Sequence, residues 1–488
     1  MCMLNTSLPL NQIDFKLLEQ EIYKKVLEYG REKIKLILEQ LDIAIMESRD
    51  KAKYRYICKK KTSIKTVMGT IQYSRRIYKY HDKSGKRRYK SLLDKHLKLD
   101  KTIGQMSENL VEKIIENATN MSYRKTAKNI TDLTGQDISH QAVWDVTQKM
   151  GEKIQEQEQQ KIKAYEKGEL NGKKEVKVLF EETDGLYINM QGKDRKGGRK
   201  KEIKLAITYE GWKKRYPGKC NEYVVVNKNA VAGFHSSSQF QDLHEATVSE
   251  EYNIEKIQQR ILNGDGASWI KDMATLALKH HQLDRFHIFQ AIYRNVYDKK
   301  EAKKISKMIR TLKTDQALNH IEQLKYKCGG EAKEVNKLKK LQTYLKNNYE
   351  GLVPYQQREH INIPEPPEGI YYRTLGTMEH NICDILYLRM KRRKMSWSIA
   401  GGNNLAKILA LKASGKLSDT INSLLSGQLS ERLESEVKEV KKPKTKVAKA
   451  KTNTYPIPRG GMPFSTCSVT NGRKAIQDLI RYSGQSMF

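Results

Sequence analysis

The chain has 488 residues, which at about 150 residues per domain allows two to four domains and a sizeable hydrophobic core. It carries 91 Lys and Arg against 57 Asp and Glu, a formal net charge of +34. Such an excess favours a polyanionic partner, with double-stranded DNA first, because basic surfaces attract phosphates and release their counterions. No apolar run reaches the roughly 18 residues that span a bilayer, and the first residues lack a secretory pattern. We therefore expect an intracellular protein without a membrane partner.

The first hundred residues predict a long helix followed by a small β-meander. Apolar residues recur at helical spacing from 14 to 50, and β-branched and aromatic residues with two turn signals follow from 63 to 90. Arginines and tyrosines alternate in the meander, a mixture that suits nucleic-acid contact and equally suits a solvated sheet edge. We take 1–100 as an N-terminal helix plus basic β-meander.

Residues 101–172 carry the spacing of a helix-turn-helix. Ser122 can cap a first helix, Gly135 makes the turn, and Ser139 can cap a second helix. In a DNA reader the second helix enters the major groove, although a plain three-helix bundle has similar punctuation. The helix then continues through a Gln/Glu/Lys-rich stretch to about 167, interpreted as a spacer. The candidate DNA-binding residues here are Arg124, Lys125, His140 and Gln141.

From residue 173 the pattern alternates strands with helices and places acidic residues at three notable positions. Asp184 follows the hydrophobic strand that begins near Val176, Asp265 stands where another strand gives way to a helix, and Glu379 begins a helix. One such Asp alone is more often a turn residue or a helix cap than a metal ligand. Three carboxylates gathered at one sheet edge suit Mg²⁺ or Mn²⁺, and a pair of such ions neutralises the attacking and leaving oxygens in phosphodiester chemistry.

Four segments in order, EETDGLYINMQG, ILNGDGASWI, LDRFHIF and GTMEHNICDILYLRMKRRKMSWS, resemble the DDE-type transposases of bacterial insertion sequences. The chain is most similar to their ISLre-two family and more distantly similar to Mutator-type transposases. The resemblance implies a multidomain α+β protein, in which the helix-turn-helix part precedes a ribonuclease H-like α/β core at 173–437 with a helical insertion at about 295–364. It also implies Asp184, Asp265 and Glu379 as the ligands of two Mg²⁺ or Mn²⁺ ions.

The same resemblance places Asp284 and His287 in a signature beside the active site. His287 could handle a proton or contact DNA phosphate, or it could be an ordinary buried histidine, and Asp284 could cap a helix. Glu181 and Glu182 lie close enough in sequence to be mistaken for the first ligand. The cations after Glu379, among them Arg389, Arg392 and Arg393, could neutralise substrate phosphates or form a solvated face.

Residues 438–488 read as a basic linker and a tail. The function implied is a transposase that binds the terminal inverted repeats of its element and its target DNA, cleaves and joins strands, and acts as a homo-oligomer on DNA in the bacterial cytoplasm, associated with the nucleoid. The alternatives are a domesticated transposase acting as a DNA-binding protein, and a nuclease that cuts without joining.

Overall fold

The computed structural model describes residues 14–99, 102–216, 218, 221–274, 279–328 and 332–425. The predicted linker and tail, 438–488, lie outside these residues. Within them the chain is mixed α+β, with a helical N-terminal region and a mixed central sheet.

The N-terminal part is a long helix packed on a three-stranded antiparallel sheet, as the pattern predicts. Helix α1 (Phe15–Ser48) is followed by β1 (Arg55–Thr66), β2 (Gly69–His81), β3 (Arg87–Lys90) and the short α2 (Leu92–His96). Leu38 of α1 packs against Ile71 and Tyr73 of β2. Arg76 donates to the buried carboxylate of Asp42 at 2.7 Å, and Arg75 pairs with Asp94, so these two arginines bind within the protein.

Helices α3 (Glu108–Asn120), α4 (Tyr123–Thr134) and α5 (His140–Glu166) form the next unit. The predicted caps are present: the hydroxyl oxygens of Ser122 and Ser139 accept from the backbone N–H groups of Lys125 and Ala142. Gly135 ends α4 with φ +63°, a left-handed conformation that glycine adopts at little cost. The two predicted helices, their caps and the turn between them are thus present.

The polar stretch of α5 after Val146, interpreted from the sequence as a spacer, packs against a later helix of the fold. Gln148 accepts a hydrogen bond from Asn404 at 2.9 Å, and Glu158 pairs with the fully buried Lys407. A Cβ added at Gly151 would lie 2.3 Å from the Asn404 Cβ, so the two helices cross closely there. Polar residues along α5 therefore make buried pairs with a helix about 250 residues later in the chain.

The central sheet has five main strands, and two helices and a separate small hairpin lie along the same stretch of chain. Along the chain they are β4 (Val178–Met190), β5 (Lys200–Tyr209), a small hairpin of β6 (Trp212–Lys214) and β7 (Tyr223–Val225), β8 (Asn229–Gly233), α6 (Ser237–Glu251), β9 (Gln259–Gly264), α7 (Ser268–Ala274) and β10 (Lys279–Leu283). The strand order is β10-β9-β4-β5-β8. β5 runs antiparallel to both of its neighbours, β4 and β8, whereas β9 and β10 run parallel to β4.

A group of helices follows β10 before the chain returns to the sheet. They are α8 (Arg285–Asn295), α9 (Lys299–Arg310), α10 (Thr314–Lys327) and α11 (Ala332–Asn347). They share a hydrophobic core that includes Ile292, Ile305, Ile321 and Leu341. This core also contains Leu283 of β10 and Ile288 of α8, so the helices pack directly against the end of the sheet.

The last elements return to the sheet and to the N-terminal helices. A continuous helix runs from α12 (Met378–Asn381) through a π-helical turn (Ile382–Tyr387) to α13 (Leu388–Met390); then come β11 (Ser396–Trp397), α14 (Ile399–Ala413) and α15 (Leu417–Leu425). β11 pairs with the end of β4. Ile408 of α14 and Leu417 and Ile421 of α15 share one core with α3–α5, so the helix-turn-helix unit is joined to the rest by hydrophobic packing.

Candidate metal-binding active site

Asp184 lies in the middle of β4 and not at its end, which corrects the sequence interpretation. β5 pairs with β4 along nearly its whole length, from Phe180 to Asn189, and this keeps the strand extended past Asp184. On the other side of β4, β9 pairs only up to Glu182 and β11 begins at Asn189. Asp184 therefore occupies the gap where β9 ends, and its side chain is 14% exposed.

Glu379 and His287 converge on Asp184 from two helices. His287 Nε2 lies 3.7 Å from Asp184 Oδ2 and 3.6 Å from Glu379 Oε1. One ligand atom from each of the three residues lies within 4.8 Å of the other two. Asp184 and Glu379 thus lie next to the same imidazole, although they are 379 − 184 = 195 positions apart in the sequence.

Asp265 lies beside this group without belonging to it. It follows the last residue of β9, and its Oδ1 accepts from the backbone N–H of Ala267 at 2.8 Å. Tyr344 of α11 donates to the Asp265 carbonyl at 3.0 Å, which connects the helical unit α8–α11 to the site. The structure therefore brings two of the three predicted carboxylates together and places the third next to them.

The carboxylates of the site repel one another, and this repulsion affects the pKa values of the groups around Asp184. Burial raises the pKa values of Asp265 and Glu379, and the neighbouring Asp184 carboxylate raises both further. Burial alone would lower the pKa of His287, but contact with Asp184 and the charges of Asp284 and Asp265 outweigh burial, so this pKa is raised. A divalent cation would stabilise Asp265 and Glu379 as anions. Carboxylate oxygens are the ligands that Mg²⁺ and Mn²⁺ prefer, so these residues fit such an ion.

A fourth carboxylate near the site escaped the sequence analysis. Burial and then repulsion from Asp265 and Asp184 raise the pKa of Glu202 on β5. A Cβ at Gly185 would lie 2.1 Å from Glu202 Oε1, so glycine is needed next to Asp184 for Glu202 to pack there. Glu202 pairs across the sheet with Tyr187, so it stands on the face of the sheet opposite Asp184, a placement that only the β4–β5 register reveals.

A second group of buried acids has a different electrostatic character. Glu181 and Glu245 lie beside His244 on the opposite side of β4. Arg260 bonds to Glu181 at 2.5 Å and to Glu245 at 2.6 Å, and Lys279 pairs with both. Two carboxylates thus meet two fixed cations. This group is a neutralised buried ion network, which leaves little electrostatic attraction for a metal ion.

Asp284 and the candidate DNA-binding residues fall into three structural settings. Asp284 caps α8, since its Oδ1 accepts from the backbone N–H groups of Phe286 and His287. The candidates with exposed side chains lie at the start of α4, at the start of α5 and after α13: Arg124, Lys125, His140, Gln141, Arg392 and Arg393. Arg389 is the exception, because its side chain is buried where the sequence analysis expected contact with DNA phosphate.

Arg389 is buried at 5% exposure between the N-terminal helices and the sheet. Its Nε donates to the carbonyl of Ala118 at 2.6 Å, and its guanidinium lies over the rings of Tyr123 and Trp397. The residue follows the π-helical turn, which shifts the helical phase that a sequence pattern assumes. Arg389 therefore joins two parts of the fold and presents no free guanidinium to DNA.

Comparison with known proteins identifies a family that covers most of the chain. The model of an uncharacterised protein family, UPF0236, matches residues 8–423. The chain belongs to the UPF0236 family. A UPF0236 protein of Caldanaerobacter subterraneus subsp. tengcongensis is 28% identical over 391 residues, 79% of this chain and 75% of that protein, and its name joins eleven numbered designations. A UPF0236 protein in the vanSb 3′ region of Streptococcus gallolyticus is 23% identical over 65% of this chain and 67% of that protein.

In this UPF0236 chain, none of the helices within the described ranges has the length and apolar character needed to cross a membrane.

Proposed function

We propose that the protein is a DNA transposase of the DDE type, with Asp184, Asp265 and Glu379 as its metal-binding carboxylates. The observation that carries the proposal is the convergence of Asp184 and Glu379 on His287, with Asp265 alongside, at the point where β9 ends. Convergent acids that have no Arg or Lys partner and lie partly open to solvent are a candidate functional site, and their oxygen donors suit metal-assisted phosphoryl chemistry.

The sheet supports a ribonuclease H-like core for this function. The order β8-β5-β4-β9-β10 has three antiparallel strands followed by two strands parallel to the first, which is the arrangement that the sequence resemblance implies. It places the first acidic residue on the central strand and the second after the adjacent parallel strand. Ligands of open α/β sheets bind near the carboxyl ends of parallel strands.

In the proposed chemistry, Asp184, Asp265 and Glu379 would hold two Mg²⁺ or Mn²⁺ ions. When bound, such ions would supply charge neutralisation at the attacking and leaving oxygens of the phosphodiester. His287 contributes a donor between two of the carboxylates, where its raised pKa favours the protonated imidazolium when they are otherwise unpaired. That position suits contact with a DNA phosphate or the handling of a proton.

The proposed partners are the terminal inverted repeats and the target DNA, bound by a homo-oligomer. The +34 charge and the exposed Arg124, Lys125, Arg392 and Arg393 favour phosphate contact. Several numbered designations under one protein name in one organism, as in the Caldanaerobacter relative, are what a gene present in several copies would receive. A mobile element leaves such copies. We place the activity in the bacterial cytoplasm, on the nucleoid.

The test is cleavage and joining of labelled DNA that carries candidate terminal repeats taken from the sequence flanking the gene. Glu379→Gln keeps the side-chain volume and removes one charge, so we expect intact folding and DNA binding without cleavage or strand transfer in Mg²⁺ or Mn²⁺. Asp184→Asn and Asp265→Asn should behave alike. The losses should not add in double variants, because each variant disables the same two-metal unit.

The outcomes separate the alternative functions. Cutting without joining would indicate a nuclease, and binding without either activity would indicate a DNA-binding protein derived from a transposase. Substantial cleavage by Glu379→Gln in both metals would show that a different acid completes the site.

A further inference from the structure

A buried polar group lies directly beneath the candidate site and has no place in the chemistry proposed so far. Glu182 of β4 precedes Asp184 by two residues and is 0% exposed. Its carboxylate accepts hydrogen bonds from Tyr209 Oη at 2.6 Å, Thr377 Oγ1 at 2.5 Å and Asn263 Nδ2 at 2.9 Å. Alternate residues of a strand point to the same face, so Glu182 and Asp184 lie side by side.

The same carboxylate also holds the start of the helix that carries Glu379. The backbone N–H groups of Gly376, Thr377 and Met378 donate to Glu182 oxygens at 3.0–3.2 Å. The first N–H groups of a helix have no partner within the helix and attract a negative charge. Glu182 therefore fixes the position of this helix start relative to β4, one residue before Glu379.

Asn263 extends the connection to His287. Its Nδ2 donates both to Glu182 and to Asp284 Oδ2, the latter at 2.8 Å. Asp284 in turn caps α8, whose first turn contains His287. Asn263 lies on β9, two residues before Asp265, which follows the end of that strand. Glu182, Asn263 and Asp284 thus link the four elements that present the site residues.

The partners of Glu182 distinguish it from an ordinary buried ion pair. Glu181, the next residue, is neutralised by Arg260 and Lys279, whereas the hydroxyl, amide and backbone donors around Glu182 are neutral. A buried carboxylate without a cation is costly unless it is fully hydrogen-bonded. In this protein the hydrogen bonds that offset the burial of Glu182 also connect β4 to the start of the helix that carries Glu379.

We propose that Glu182 is a positioning residue: it sets the distance between Asp184 and Glu379 and, through Asn263 and Asp284, the position of His287. The proposal rests on the metal-dependent function proposed above. Residues behind a metal site that orient its ligands typically change metal affinity or activity roughly 10–100-fold when they are replaced.

The primary experiment measures Mn²⁺ binding to the full chain by electron paramagnetic resonance, together with the Mn²⁺ dependence of DNA cleavage. Glu182→Gln keeps the shape but turns one acceptor into a donor that opposes the helix N–H groups. We expect a folded protein that binds DNA normally and needs roughly 10–100-fold more Mn²⁺ for half-maximal binding and cleavage. Wild-type values for both would overturn the proposal.

The matched control is Glu181→Gln, the same substitution one residue earlier on the opposite face. It should lower the melting temperature by breaking the ion network and leave the Mn²⁺ requirement of the folded protein unchanged. An equal rise in Mn²⁺ requirement for both variants would show a general structural effect and contradict a specific role for Glu182.

Two milder variants keep the test decisive if Glu182→Gln does not fold. Tyr209→Phe and Thr377→Val each remove one donor to Glu182, and each should raise the Mn²⁺ requirement by a smaller factor. Unchanged values in both folded variants would overturn the proposal. Failure of the proposed function has a different signature, since wild-type protein would then bind Mn²⁺ without cleaving or joining DNA.

Discussion

At the scale of single residues, the contrast between the two acidic groups gives a stability prediction. At a metal concentration about 100 times Kd, Mg²⁺ or Mn²⁺ should add about 2.7 kcal/mol to the free energy of unfolding of the wild type. Asp184→Asn should abolish this gain and change the stability of the metal-free protein little, because it removes both a charge that repels Glu379 and Asp265 and the partner of His287. Glu245→Gln should instead cost about 3–5 kcal/mol with or without metal, since it leaves Arg260 and Lys279 short of a partner. Chemical denaturation with and without metal measures both effects, and a metal-independent Asp184→Asn phenotype would argue against a cation at this site.

A second prediction at the residue scale is that the arginines after Glu379 have different roles, Arg389 in stability and Arg392 and Arg393 in DNA binding. Arg389→Ala should lower the free energy of unfolding by roughly 2–3 kcal/mol, because it leaves the Ala118 carbonyl and the Tyr123 and Trp397 rings without their cation. Arg392→Ala and Arg393→Ala should leave stability nearly unchanged and weaken DNA binding. Thermal unfolding and fluorescence anisotropy on each variant would test this, and a stable Arg389→Ala protein with weakened DNA binding would reverse the assignment.

At the scale of elements, α4 and α5 carry the prediction for DNA recognition. Replacing Arg124 and Lys125 with Ala should weaken binding to terminal DNA and reduce the salt slope by roughly 0.9 for each phosphate that the variant no longer neutralises. The measurement uses the full chain with Glu379→Gln, because α3–α5 share their core with α14 and α15 and are not a separable fragment. Lys113→Ala on α3 is the control, since it removes a cation of the same helical unit outside the helix-turn-helix. An equal loss of affinity from Lys113→Ala would mean that the region contributes only diffuse charge.

At the scale of the whole molecule, the +34 charge predicts binding to any duplex DNA with a steep dependence on salt. If about six or more phosphates are bound, affinity for random-sequence DNA should fall about 1,000-fold or more between roughly 50 and 200 mM salt. Anisotropy titrations at several salt concentrations measure the slope. A nearly flat slope would contradict DNA as the main partner of this basic surface.

The sequence by itself determined the local helices, caps and turns, and it indicated which acidic residues are candidate metal ligands. Apolar periodicity, the caps Ser122 and Ser139 and the turn at Gly135 depend on interactions within a few residues, so α1, α4 and the start of α5 could be predicted. Asp184, Asp265 and Glu379 are candidate ligands through the resemblance of their surrounding motifs, and the approach of Glu379 to Asp184 could not follow from spacings of 81 and 114 residues, 265 − 184 and 379 − 265.

The tertiary structure alone decided which charged groups are exposed, neutralised or joined. Neighbouring residues on β4 face opposite sides of the sheet, so Glu181 enters an ion network with Arg260 while Glu182 holds the Glu379 helix. Arg389 is buried, and Gln148 and Glu158 of α5 bond to residues about 250 positions later in the chain, although all three are residue types common on solvated surfaces. Sequence patterns report a residue's own polarity, whereas burial depends on partners that long-range packing brings to it.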